Sequence, residues 1–314
     1  MNKKIYIAVT LLLLFMMISC FASDDSSNID YRSKALFKNT PCWELRKAID
    51  KEDTTLIREL CLTDSSLLNF QEKRYCITPL IRAAGRQKKD AVECLLKSGA
   101  DPNLNSTIGI NPLFESLTGG WEDSPICINI DIVKLLLKYG ADPNYRYHVT
   151  YDDFSTDINV IEDSVTPLMY VVLYNISSDE NLDVVKVLVE NGADIDCKSR
   201  SGKTASIYAL IAQDIKSAYY LIVEKNAKIS DPFYYYSDDG LKIDYDKPRF
   251  AVDLLLNLTY ELDTKEYELK KKVIERFNQQ GISYASRKTN IPKHTLSIIK
   301  KRHPNDWEEY IRHY

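Results

Sequence analysis

Glycine is scarce in this chain, ten residues in 314, and histidine is scarcer at four. Little glycine leaves little backbone to cradle phosphates, and no complete Gly-x-x-x-x-Gly-Lys-Ser/Thr run is present. Gly-x-Ser-x-Gly and His-Glu-x-x-His are missing as well, which removes two common hydrolase signatures. The seven cysteines never fall at Cys-x-x-Cys spacing, and only His148, His294, His303 and His313 could complete a thiolate metal site. Asp238-Asp239 and Asp244-x-Asp246 offer oxygens to calcium but lack the Gly and Glu spacing of an EF-hand loop, so they read as a solvated loop. The chain is expected to be non-catalytic, with no metal and no cofactor.

Long apolar runs are also few. One uncharged run, Ile5 to Ile18, follows Lys3 and Lys4; it is short for a membrane span and suits the core of a secretion signal. It closes Met17-Ile18-Ser19-Cys20, which resembles the lipobox of bacterial lipoproteins, with Met17 where that family usually has Leu. The resemblance implies a signal over 1–19 and acylation of Cys20, placing the chain on the bacterial cell envelope, lipid-anchored, facing the periplasm or the surface. Cleavage after Ala22 with plain secretion, and a retained anchor, are the alternatives. Residues 20–35, whose stretch from Phe21 to Ile29 is rich in Ser and Asp, then form a flexible tether.

What the chain has in abundance is repetition. Val92-x-x-Leu95-Leu96-x-x-Gly99-Ala100-Asp101 returns as Val133-x-x-Leu136-Leu137-x-x-Gly140-Ala141-Asp142 and as Val185-x-x-Leu188-Val189-x-x-Gly192-Ala193-Asp194. Apolar residues at i, i+3 and i+4 form one buried helical stripe, and the following Gly closes the helix in the left-handed conformation. Thr78-Pro79-Leu80 and Thr166-Pro167-Leu168 place a capping hydroxyl before a proline that suits a first helical turn. Each unit therefore reads as helix, turn, helix and an extended finger. The unit from Thr78-Pro79-Leu80-Ile81-Arg82-Ala83-Ala84 to Gly99-Ala100-Asp101-Pro102-Asn103 resembles the ankyrin repeat. Weaker copies open at Asn111-Pro112-Leu113 and Thr204-Ala205, the latter ending at Asn226 in place of Gly. Degenerate end units are expected from Trp43 to Cys61 and from Phe250 to Gly281. The resemblance implies an all-α ankyrin solenoid of about six repeats over 36–282, with protein binding as its role. Residues 283–314 form a basic helical extension, read as two short helices around Pro304 that cap the stack, with an anionic lipid surface as the other reading of its charge.

Charge narrows the partner. Without Lys3 and Lys4 there are 39 basic and 45 acidic residues, a net −6; the stretch 282–314 carries +4, so the repeats carry about −10. A nucleic acid is not expected to bind such repeats. Of the cysteines after Cys20, Cys42 with Cys61 would join the helices of the first unit if oxidised, whereas Cys61 and Cys94 at apolar positions read as small core residues.

The fingers hold the candidate site. From Gly140 to Thr166 is 26 residues where 12 separate Gly99 from Asn111, and a second enlarged finger runs from Asn226 to Phe250. Other insertions, Thr118 to Ile130 and about Thr259 to Lys272, fall between paired helices. The first long finger holds Tyr145, Tyr147, Tyr151, Asp152, Asp153 and Phe154; the second holds Phe233, Tyr234, Tyr235, Tyr236, Asp238 and Asp239. Tyrosine buries much area at low entropic cost, and carboxylates favour a basic partner, so one reading is an acidic, tyrosine-rich jaw. The other is that the rings fold down over their own repeats. Tyr170 and Tyr208 share the template position of Arg82 and Glu115 and extend the jaw onto the concave helix face, or pack half-buried. An inhibitor or immunity-like protein blocking a basic enzyme, and a peptide or small-molecule receptor, are the alternative functions.

Overall fold

The computed structural model describes residues 31–33, 35–118, 128–147, 164–173, 178–237, 242–287 and 291–314. Among them are fourteen α-helices and no strand longer than an isolated bridge. Twelve helices form six pairs: α1 (Trp43–Lys51) with α2 (Thr54–Thr63), α3 (Pro79–Gly85) with α4 (Lys89–Lys97), α5 (Pro112–Ser116) with α6 (Ile130–Lys138), α7 (Pro167–Leu173) with α8 (Ser178–Glu190), α9 (Ala205–Ile211) with α10 (Ile215–Tyr219), and α11 (Ala251–Leu254) with α12 (Lys265–Gln279). The second helices stack in sequence, α2 on α4, α6, α8, α10 and α12.

The expected caps form. The side chains of Thr78, Asn111, Thr166 and Thr204 accept from the backbone N–H groups of Ile81, Phe114, Met169 and Ile207 at 3.1, 2.8, 3.4 and 3.5 Å. At the other end Gly99, Gly140 and Gly192 adopt φ of 101°, 91° and 92°. That left-handed step returns the N–H of Ala100, Ala141 and Ala193 to the carbonyls of Leu95, Leu136 and Leu188, each at 3.0 Å. Between these caps Val92, Leu95, Val133, Leu136, Val185 and Leu188 are fully buried.

Hydrogen bonds tie finger to finger. Asn103 accepts from Asp142 N at 2.8 Å and donates to Gly140 O; Asn144 accepts from Asp194 N at 2.7 Å and donates to Gly192 O at 2.9 Å. Asn69 and Asp196 accept in the same manner from Asp101 N and Lys228 N. In the first two repeats Arg46, Arg82 and Arg86 converge on Asp50 at 3.1 to 3.3 Å, locking α1 to α3.

Three details differ from the sequence reading. Asn226 takes the helix-ending φ of 61°, but Thr204 to Asn226 is one residue longer than Thr78 to Gly99. The extra residue is absorbed as a π-helical turn over Tyr220–Glu224, where Lys225 N reaches back to Tyr220 O at 2.9 Å. In the last pair α12 begins at Lys265, so half of the expected insertion is helix. Tyr31, assigned to the tether, is buried with its ring 6.3 Å from Tyr75. The cysteines follow the reading as core residues: Cys61 and Cys94 are buried free thiols, and Cys42, Cys76 and Cys197 are free as well; Cys127 lies outside the described residues.

The extension folds as α13 (Lys293–Arg302) and α14 (Trp307–His313) and caps the last pair. Tyr310 donates to Tyr260 O at 2.7 Å, and Arg302 donates to Thr259 O at 3.0 Å. Buried Lys270 donates to Leu258 O at 2.8 Å and lies 3.5 Å from the Tyr314 ring centroid. Ile299, Tyr310 and Tyr314 are buried against the repeats. No helix among the described residues is long and apolar enough to cross a membrane.

Candidate functional site

Both long fingers start as antiparallel pairs. In the first, Tyr147 N donates to Val165 O at 2.9 Å and Ser164 N to Tyr147 O at 2.7 Å. In the second, Phe233 and Arg249 exchange bonds of 2.9 and 2.8 Å, and Tyr236 pairs with Ile243. Asp244 N to Tyr235 O and Ser237 N to Lys242 O complete a hairpin. Its inner edge is held too, since Tyr234 N donates to Ser201 O of the preceding finger at 2.9 Å.

This pairing sorts the candidate residues by face. Tyr147 is 7% exposed and stacks on Phe114 with ring centroids 5.1 Å apart, and Phe114 meets Tyr170 at 4.7 Å. Phe233 and Tyr208 are buried as well. The expectation that Tyr147, Tyr170, Tyr208 and Phe233 face a partner is therefore corrected: they seal the corner where long fingers cross the first helices. Without those rings the inner helices would expose apolar surface beneath each insertion. Lys203, buried behind the second finger, sits 5.9 Å from the Tyr208 ring and 5.4 Å from the Tyr235 ring. Tyr145 is half-buried, donates to Gly109 O at 2.9 Å, and its phenol is pushed to higher pKa by burial. Tyr151, Asp152, Asp153, Phe154, Asp238 and Asp239 lie outside the described residues, as do the signal, Cys20 and the tether to residue 30.

Tyr235 is 44% exposed, and Tyr234 and Tyr236 on either side of it are half-buried. They are joined by Tyr245, 61% exposed, which sequence reasoning missed; its ring meets Tyr234 edge-on at 5.0 Å. A hairpin reading of 233–249 was the signal that could have found it. Between this hairpin and the finger after Gly192 lies an open groove of about 550 Å3. It is lined by Gly202, at φ 81°, where a Cβ would stand 3.2 Å from Pro232 O, so a larger residue there would be strained by its backbone and crowded by the next finger. Its rim carries Lys198 and Arg200, both exposed, and Asp231, bonded to Lys198 at 2.6 Å.

The first long finger reaches the same place. Arg146 donates to Lys198 O at 3.1 Å and to Cys197 Sγ at 2.9 Å. Burial still pushes the Cys197 thiol pKa up against the pull of Arg146, which keeps it a neutral packing group. Three successive fingers thus form one connected edge, rigid at its base and aromatic at the last finger. It holds rings, hydroxyls and opposite charges suited to recognition.

Family models of ankyrin repeats match residues 45–147, as three copies, and residues 173–222. A stretch of 76 residues is 38% identical to the 2-5A-dependent ribonuclease of Homo sapiens, which is 24% of this chain and 10% of that protein.

Proposed function

Because the chain carries ankyrin repeats, which generally mediate protein–protein interaction, we propose that it is a non-catalytic adaptor that binds a protein partner along its finger edge. The edge-on pair of half-buried Tyr234 and exposed Tyr245, on a hairpin bonded to the neighbouring finger, carries this reading. Aromatic rings held in place before binding lose little entropy on contact, which is why such residues anchor interfaces. Tyr151, Asp152, Asp153, Phe154, Asp238 and Asp239 belong to the same proposal as further contacts on the finger loops. Immobilised residues 21–314 should retain one stoichiometric protein from the native envelope, and retention should fall when Tyr234 and Tyr245 are both changed to Ala. Equal retention by that variant would remove the finger edge from the function.

Export and anchoring complete the proposal: a signal over 1–19, acylation of Cys20 and attachment to the bacterial envelope. Met17-Ile18-Ser19-Cys20 after a short apolar run supports it. Cys20→Ala should shift the protein from the membrane to the soluble fraction. Membrane partition unchanged in that variant, with the signal removed, contradicts the anchor.

A further inference from the structure

We infer that the outward face of α13 rests on an anionic lipid surface, with Lys293, Lys300 and Lys301 among the headgroup phosphates and Ile298 reaching the acyl boundary. The inference rests on the anchored reading and goes further, because it gives the repeat stack a second membrane contact, at its capped last pair. The helix supplies the first argument. Thr295 and Ile299 are buried. The row Lys293, Ser297, Lys300 and Lys301, spaced i, i+4, i+7 and i+8, therefore turns to the opposite side, and all four residues are exposed. Ile298, 41% exposed, borders this row three residues before Lys301. On the other flank, Lys300 Nζ stands 4.1 Å from the ring centroid of half-buried Trp307. Lysines flanked by an aliphatic side chain and a tryptophan are the composition of a helix that lies in a membrane interface.

Charge is the second argument. From Lys293 to Arg302 the helix has four basic residues and no acidic one. Among the described residues none of its lysines is paired with a carboxylate, and Arg302 bonds the neutral Thr259 at 3.0 and 3.2 Å. Of the acids that follow, Asp306 lies 3.7 Å from His303, and Glu308 and Glu309 form no ion pair with α13. The positive surplus of α13 is thus not consumed by ion pairs. The repeats carry about −10, but at about 0.1 M salt their field is screened beyond roughly 10 Å, so the local charge decides the contact. Ile298 favours lipid over nucleic acid, whose phosphates would leave it in water. Each basic side chain near an anionic membrane contributes about fivefold to partitioning. Three lysines therefore make a reversible contact, which orients an acylated protein without holding an unacylated one.

The test floats residues 21–314, which carry no acyl group and include every described residue, with excess vesicles of phosphatidylglycerol or of phosphatidylcholine at about 0.1 M salt. The protein should rise with phosphatidylglycerol only. Lys293→Gln combined with Lys301→Gln should weaken that partition roughly 25-fold, and Ile298→Ser about fivefold. All three positions are exposed, so an unchanged melting temperature establishes that the variants remain folded. No flotation with phosphatidylglycerol, or equal flotation of the lysine variant, overturns the inference. Displacement by soluble polyglutamate, with Ile298→Ser behaving as the parent, makes the face a site for an acidic protein and overturns the lipid. Because the vesicle test uses no acyl group, the anchor itself stands or falls separately, on the fractionation of Cys20→Ala.

Discussion

At the scale of single residues, the backbone at Gly140 shows how little of the repeat signature concerns packing. A Cβ there would meet nothing within 4 Å, yet φ is 91°. Gly140→Ala should therefore cost only left-handed strain, about 1–2 kcal/mol, seen as a lower urea midpoint with an unchanged slope. A cost near zero would mean that the helix end is not held in this conformation. The buried thiols give a second expectation. Burial is the largest cause of both shifts: it pushes Cys42 up to about 12 and Cys61 to about 11, from an ordinary value near 9. Since the folded state holds these protons more tightly, their contribution to stability is complete below about pH 9 and is lost as pH climbs through 11 to 12. At pH 8, iodoacetamide should label half-exposed Cys76 while sparing Cys42 and Cys61, and the pair replaced by Ala should flatten alkaline unfolding between pH 9 and 12. Rapid labelling of native Cys42 would contradict that packing.

Residue identity was legible where repetition supplied several examples of one environment, as at Leu95, Leu136 and Leu188. It was not legible at Tyr147 or Tyr245. Whether a finger tyrosine faces in or out depends on strand register, and register comes from partners such as Val165, eighteen residues away from Tyr147. Local composition carries no such information.

At the scale of elements, the Asn ladder joins fingers that share no covalent neighbour. Asn144→Ala removes both the acceptor for Asp194 N and the donor to Gly192 O, so it should cost about 1–2 kcal/mol. Amide exchange at 192–196 should accelerate more than exchange in α8. Uniform acceleration along the chain would instead indicate a purely global effect. The helix pairs and caps were readable because Thr or Asn at one end and Gly at the other are local signals. The π-helical turn at Tyr220–Glu224 was not: residues 219, 222 and 223 keep helical spacing, and only the count from Thr204 to Asn226 betrays the added residue. Likewise the helical part of the last insertion, from Lys265, lacks a repeat to be compared with.

At the scale of the whole molecule, a nearest-neighbour stack leaves two ends and two edges to be covered or used. One end is closed by α13 and α14, whose Tyr310 and Tyr314 are buried, and the other by residues 31–40, with Tyr31 and Phe37 buried. The second-helix edge exposes isolated apolar groups such as Leu62, 81% exposed on α2, whereas the finger edge gathers Tyr234 and Tyr245 at one groove. A photo-crosslinking amino acid placed at Tyr245 or at Leu62 in the intact protein, irradiated in its native cells, compares these two edges directly. The account predicts a discrete crosslinked protein from position 245 and none from position 62. Crosslinking at 62 with none at 245 would contradict it.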